Sequence, residues 1–490
     1  MAGTIREPTF GRPACHQTQD FRIIRTAASV LMRCIQKEGS VMANRDVFDA
    51  PLSASDAAAV EHYGVALGNL ITLSGDPLSQ VKAALAIDRG LVMAHILKGM
   101  LFALSSEQSL LAPAKAALAA ARAVSGGAND RELAHIAALD AWTTGRLHEA
   151  AARWEKILVA CPNDGLAMFA AHQSDFFMGQ SSELRDRVAR RLPDIDAGSA
   201  LHGYYLGMHA FGLEEMGDYE QAEVDGRRAV ASTPRNAWAI HAVAHVMEMT
   251  HRLDDGIDWY TSREADWSSD SFFSVHNWWH LALYFFERQQ WDRVLKLYDE
   301  RIRATESTVV MDMIDASALL WRLTLQGVDV GDRWQPMVKV WEPLIDDAWY
   351  AFNDTHAMMS FVGAGRDDLA ARLAAVMART AQGDTDNAMM TRQVGLPVAQ
   401  ALQAMGHQRP QLAVELLSAV RPVAARAGGS HAQRDLLSQT LIVAAERAGN
   451  RSMARALLNE RLALKPHSML SRAWMNRVVA MPAMPADHYQ

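Results

Sequence analysis

Cysteine is nearly absent. The 490 residues hold three, Cys15, Cys34 and Cys161, far apart and with no CxxC pair. Such spacing argues against a disulfide framework or a cysteine-based zinc site, and it fits a reducing cytoplasm. Positive charge is short as well: the formal net charge is −8 at pH 7. Phosphate binding needs a basic stripe, and no platform of interleaved aromatic and basic residues occurs either, so no nucleic-acid partner is expected. No run of about 18 apolar residues is present, so no membrane span is expected, and the N-terminus lacks the apolar region of a secretory signal. Phosphate-loop and dinucleotide fingerprints and the Gly-x-Ser-x-Gly elbow are missing. Alternating strand patterns of useful length are missing too.

What is present favours helices. Half of the residues are hydrophobic and 21% are charged, which supplies a large core and excludes wholesale disorder. Alanine, leucine, methionine and arginine dominate, all good helix formers. Helix pairs of about 34 residues, with small residues at the crossing and a proline after the second helix, define tetratricopeptide-type repeats. Ala138 to Pro162 fits this plan, with Gly145 at the turn and Ala150, Trp154 and Ile157 at helical spacing before Pro162. Ala210 to Pro234 fits it again, with Gly217 at the turn and Ala222 and Ala229 at close-packed positions. A third copy has Gly449 at the turn, Ala454 in the second helix, and Pro466 closing.

Degenerate copies are read between these, at His241 to Tyr260, Asn277 to Ile302, 353–379 and 397–420. Breaks rich in Gly, Ser, Asp or Asn are expected at Ser125–Asn129, Ser268–Ser271, Gln382–Asn387 and Ala427–Ser430. The fold expected is all-α, a tetratricopeptide-like superhelix of helical hairpins (an α-solenoid) with a concave or enclosed inner cavity lined by the first helices. One array is expected over 42–480, with a tail at 481–490. Residues 1–41 share no pattern with the rest. Phe21 to Ile35 carries three arginines like a transit peptide, but Met42-Ala-Asn-Arg-Asp-Val-Phe-Asp reads like a natural start. An accessory extension, disordered or produced by a mis-assigned start, is the preferred reading of 1–41.

The densest chemistry lies in His241-Ala-Val-Ala-His245-Val-Met-Glu248 and in His276-Asn-Trp-Trp-His280. Two histidines four residues apart share one helix face, and both segments fall on first helices, so the four rings can converge. His241, His245, His276 and His280, with Glu248 or a carboxylate of Asp312 or Asp315, suit a divalent ion such as zinc, iron or manganese. Without a metal, the same groups suit acid–base work. The plainer alternative is that the rings only hydrogen-bond neighbouring helices together.

Asp315 stands on an otherwise apolar stripe and needs a partner. His356 lies one turn inside a helix opening at Asn353-Asp-Thr-His356, where Asn353 or Asp354 is expected to cap. Glu214 and Glu215, before Gly217, read as an ordinary solvated turn, the alternative being that one of them faces the cavity. Gly428-Gly-Ser-His-Ala-Gln-Arg-Asp435 combines a turn with a helix start whose amides suit an anion or carboxylate, with Arg434 as partner. Trp238, Trp278, Trp279 and Trp321 lie beside these polar groups, as in a small-molecule pocket, although aromatics at helical spacing also make plain core.

Several blocks carry a family likeness: Thr72-Leu-Ser-Gly-Asp-Pro77, Gly207-Met-His-Ala-Phe-Gly-Leu-Glu-Glu215, Ala237 to Met249, His276 to His280, Asp312-Met-Ile-Asp315, Phe352 to His356 and Gly428 to Asp435. Over roughly residues 45–480 the chain resembles the tetratricopeptide repeat protein 38 family. His431 departs from the pattern, because asparagine is also expected there. The resemblance implies an all-α repeat fold and no particular reaction.

Two functions follow. The first is an enzyme acting on a small molecule inside the superhelix, of hydrolase type, metal-assisted or His/Asp-mediated. Its catalytic groups would be His245, His276, His280, Asp315 and His356, with Trp238, Trp279, Arg434 and Asp435 binding substrate. The alternative is a non-catalytic scaffold that takes a peptide or protein partner in its groove. Self-association is expected in either case, because solenoid ends leave an apolar face to cover.

Overall fold

Gly145, Gly217 and Gly449 all adopt positive φ, at 78°, 82° and 72°. Each joins two helices: Asp130–Thr143 to Leu147–Ala160, Ala200–Glu215 to Tyr219–Ser232, and His431–Arg447 to Arg451–Leu464. A left-handed turn of this kind strains any residue with a Cβ, which is why the hairpins are legible from their glycines. The second helices end at Ala160, Ser232 and Leu464, each two residues before Pro162, Pro234 and Pro466. The computed structural model describes residues 45–481. The expected extension at 1–41, and all of the expected tail except Met481, lie outside the described residues.

The degenerate copies also form hairpins. Ala237–Met249 pairs with Leu253–Thr261, Ser274–Glu287 with Trp291–Leu297, Ala351–Gly363 with Asp367–Thr380, and Leu396–Gly406 with Pro410–Val420. In the first of these, His251 at φ 59° takes the left-handed position without glycine, which explains why the repeat is hard to see in the sequence. Among the described residues no strand forms, only two isolated bridges. No helix among them is long and apolar enough to cross a membrane. The fold is an all-α, tetratricopeptide-like superhelix of helical hairpins.

The two helices of a hairpin differ in burial. In Ala237–Met249 every residue from Ala237 to Met247 is buried, whereas Tyr219–Ser232 buries a stripe of Ala222, Asp225, Gly226, Ala229 and Val230. First helices therefore form the inner layer and second helices the amphipathic outer one. The array curls until distant parts of the chain bond directly. Phe272 N donates to Leu73 O at 2.8 Å and Asn353 Nδ2 to Ser106 O at 2.9 Å. Ser468 Oγ donates to Glu287 Oε1 at 2.7 Å.

Two local expectations change. The helix expected to open at Asn353 or Asp354 begins at Ala351. Its cap comes from elsewhere in the chain, because Ala351 N donates to Asn387 Oδ1 at 2.8 Å. The break expected at Gln382–Asn387 is shorter than its composition suggests: Thr385 caps a short helix, Asp386–Met390, through its side chain.

Candidate functional site

Four consecutive inner helices meet at the histidines: Ala200–Glu215, Ala237–Met249, Ser274–Glu287 and Val310–Leu325. Within a helix the four-residue spacing stacks His241 over His245 and His276 over His280. Asn236 caps the first pair's helix by accepting from Ala239 N at 3.1 Å, and its Nδ2 donates to Gly203 O at 3.0 Å. These bonds fix that helix against the one before it.

The rings meet through their Nε2 atoms. His241 lies 3.1 Å from both His276 and His280, and 3.0 Å from His245. His280 lies 3.1 Å from His245 and 3.2 Å from His276. Five of the six possible Nε2 pairs are thus in contact. All four histidines are buried, and His241, His245 and His280 stand close enough to share one metal ion.

The opposite edges of three rings face carboxylates. His276 Nδ1 lies 2.9 Å from Asp315 Oδ2, His245 Nδ1 3.3 Å from Glu214 Oε2, and His280 Nδ1 3.6 Å from Glu248 Oε2. Among the described residues, neither His241 Nδ1 nor His245 Nδ1 makes a hydrogen bond. Burial, together with the neighbouring rings, holds His241 and His280 well below the usual imidazole range. For His245, burial opposes protonation, but Glu214 reverses the balance and its pKa is raised. Burial pushes the Glu214 carboxyl up, with His245 acting against it.

Other candidates fall elsewhere. Glu248 stands behind the His280 ring and also pairs with Lys465 Nζ at 3.3 Å, so it does not join the Nε2 atoms as a fifth ligand. Asp312 accepts from Ser307 Oγ at 2.7 Å. His356 stands apart: its Nδ1 donates to Phe352 O one turn back at 2.8 Å, and burial lowers it to about 4. Trp279 is fully buried behind the cluster, stacked on His276 with centroids 5.4 Å apart. Trp278 packs on Trp267, and Trp321 donates to Thr440 Oγ1 at 3.1 Å.

The glutamates read as a solvated turn are both buried, which corrects that expectation. Glu214 faces His245, and Glu215 accepts from His431 N at 2.7 Å and from Arg434 NH2 at 2.9 Å. The turn at Gly428 to Asp435 does hold a carboxylate, supplied by the chain itself. Arg434 is engaged with Glu215 and Asp435 with Arg461; both also border a second cavity of about 420 Å³.

His241 and His276 border a cavity of about 320 Å³ whose walls are mainly apolar. Leu70, Leu101, Phe169, Phe211 and Ile314 come to it from widely separated hairpins. Among the described residues, Trp238 Nε1 and Asn353 Oδ1 are buried without a hydrogen-bond partner, although both residues contribute to the cavity wall.

The chain matches no protein-family model. Among solved structures it is similar to the APC/C hetero-tetramer Cut9–Hcn1, with 13% identity, a TM-score of 0.35, and coverage of 86% of this chain and 82% of that one. It is also similar to the human IFIT1 dimer with PPP-AAAA, at 13% identity, a TM-score of 0.40, and coverage of 89% and 97%. The human IFIT1 dimer with m7Gppp-AAAA gives 13% identity, a TM-score of 0.41, and coverage of 90% and 98%.

The expectation of a small-molecule hydrolase is corrected, for a reason local to this chain. A hydrolytic metal site keeps an open position for water, whereas here four imidazoles crowd one point. Acid–base work needs a group free to exchange a proton with substrate. Asp315 and Glu214 face ring nitrogens instead, and His356 is tied into its own helix.

Proposed function

We propose that this chain is a non-catalytic repeat scaffold that takes an extended segment of a partner protein into the 320 Å³ inner cavity. One observation carries the reading. The cavity's walls are mainly apolar and are drawn from widely separated hairpins. A peptide segment offers a large apolar side chain for those walls, and taking that side chain out of water is favourable. Apolar pockets with a few placed polar groups are the usual form of such sites.

The narrower identity belongs to the same proposal: a member of the tetratricopeptide repeat protein 38 family, resident in the cytoplasm. So does self-association through the terminal hairpin, where Leu464 and Val479 are exposed.

Selection from a random peptide display library against the full chain tests the reading. We expect enriched peptides with at least one large apolar residue, whose binding is lost in Leu101→Arg, which puts a charge into the cavity wall. Failure to enrich any peptide, or binding that survives Leu101→Arg in a folded variant, would overturn it.

A further inference from the structure

Two imidazole nitrogens in contact need a proton between them or a cation beside them. In a neutral ring one nitrogen carries the proton and the other a lone pair. Where Nδ1 faces a carboxylate, the proton belongs on Nδ1, and Nε2 is left as an acceptor. That condition is met by a hydrogen bond for His276 against Asp315, whose Nε2 therefore presents a lone pair. His245 and His280 face Glu214 and Glu248 at 3.3 and 3.6 Å without a hydrogen bond. Even with the protons of the three other neutral rings all on Nε2, three protons cannot bridge five contacts of 3.0–3.2 Å.

Charge gives a second, independent argument. Glu214 and Asp315 are fully buried, and among the described residues neither pairs with a lysine or arginine: their ion-pair partners are His245 and His276. Lys465 is engaged with Glu248. The guanidinium of the buried Arg322 donates to the carbonyls of Ala318 and Ala432. Two buried carboxylates without a fixed cation are expensive.

We propose that the Nε2 atoms of His241, His245 and His280, with His276 beside them as a fourth imidazole, bind one divalent first-row transition ion, of which zinc is the test case. Imidazole ligands suit zinc, and Zn–N bonds of about 2.0–2.1 Å place tetrahedral ligand atoms roughly 3.3 Å from each other. The three spacings within His241, His245 and His280 are 3.0–3.1 Å, close to that value, and His276 touches two of these atoms, at 3.1 and 3.2 Å. Asp315 is a positioning residue that orients the His276 ring through Nδ1, and Glu214 and Glu248 place negative charge behind His245 and His280. The ion would link two neighbouring inner helices through its ligands and two more through their carboxylates, so its role is to fasten the wall of the array. This is separate from the peptide reading, and either can fail alone.

The test uses the full chain, stripped with a chelator and titrated with Zn²⁺ or Co²⁺ alone. The expected result is one equivalent per chain, a tetrahedral cobalt spectrum with no thiolate charge-transfer band, and a rise in Tm on loading. His245→Gln/His280→Gln should lose the bound ion, while His172→Gln, a buried histidine outside the cluster, should retain it. No binding by the unsubstituted chain, or full stoichiometry in a folded double variant, would overturn the proposal. Should the double variant fail to fold, the spectrum of the unsubstituted chain decides: a thiolate band or octahedral cobalt overturns the site, and a tetrahedral nitrogen spectrum supports it.

Discussion

His276 Nδ1 lies 2.9 Å from Asp315 Oδ2, across 39 residues of sequence and between two neighbouring inner helices. The carboxylate fixes which edge of the ring faces outward, and so which nitrogen joins the other three histidines. Asp315→Asn keeps a hydrogen-bond acceptor but removes the charge. We expect it to weaken zinc binding by about 10–100-fold, as loss of such outer partners commonly does, with the helical content unchanged. Competition against a chromophoric chelator reads the affinity, and an unchanged value would show that the pair is structural only.

A different site gives a pH dependence. Burial, with Asp347 nearby, pushes the Asp354 carboxyl from 3.8 up to about 7. Between those values the folded chain holds a proton that the unfolded chain has released. Stability from this group therefore falls as pH rises from about 4 through about 7. Asp354→Asn, which needs no ionisation, should flatten that slope and raise Tm most at pH 8. Parallel Tm–pH curves for the two proteins would contradict the assignment.

The hairpins are legible in the sequence where a glycine marks the turn and a proline the stop, as at Gly145 and Pro162. They fade where His251 takes the left-handed turn instead. The four histidines are legible because i, i+4 spacing is a property of one helix. Glu214 is not: the turn after it is exposed, and nothing local tells that Glu214 itself is buried against His245 on the next inner helix, or that the adjacent Glu215 is held by His431 and Arg434 more than 200 positions away. The cap of the Ala351–Gly363 helix escapes for the same reason, since Asn387 supplies it from outside the segment.

Close packing beside Glu214 makes another prediction. A methyl group on Gly212 would overlap the backbone of Leu184 and Arg185, which cannot rotate away as a side chain can. Gly212→Ala should cost about 1–3 kcal/mol, the usual range for overpacking, measured by urea unfolding. A stability equal to the unsubstituted chain would mean that the two hairpins separate freely there.

X-ray absorption at the zinc edge of the loaded full chain tests the central claim most directly, that four imidazoles converge as one prebuilt centre. The account predicts a shell of nitrogen alone, with the outer scattering that imidazole rings produce. A sulfur ligand, or a shell made mostly of carboxylate and water oxygen, would contradict it.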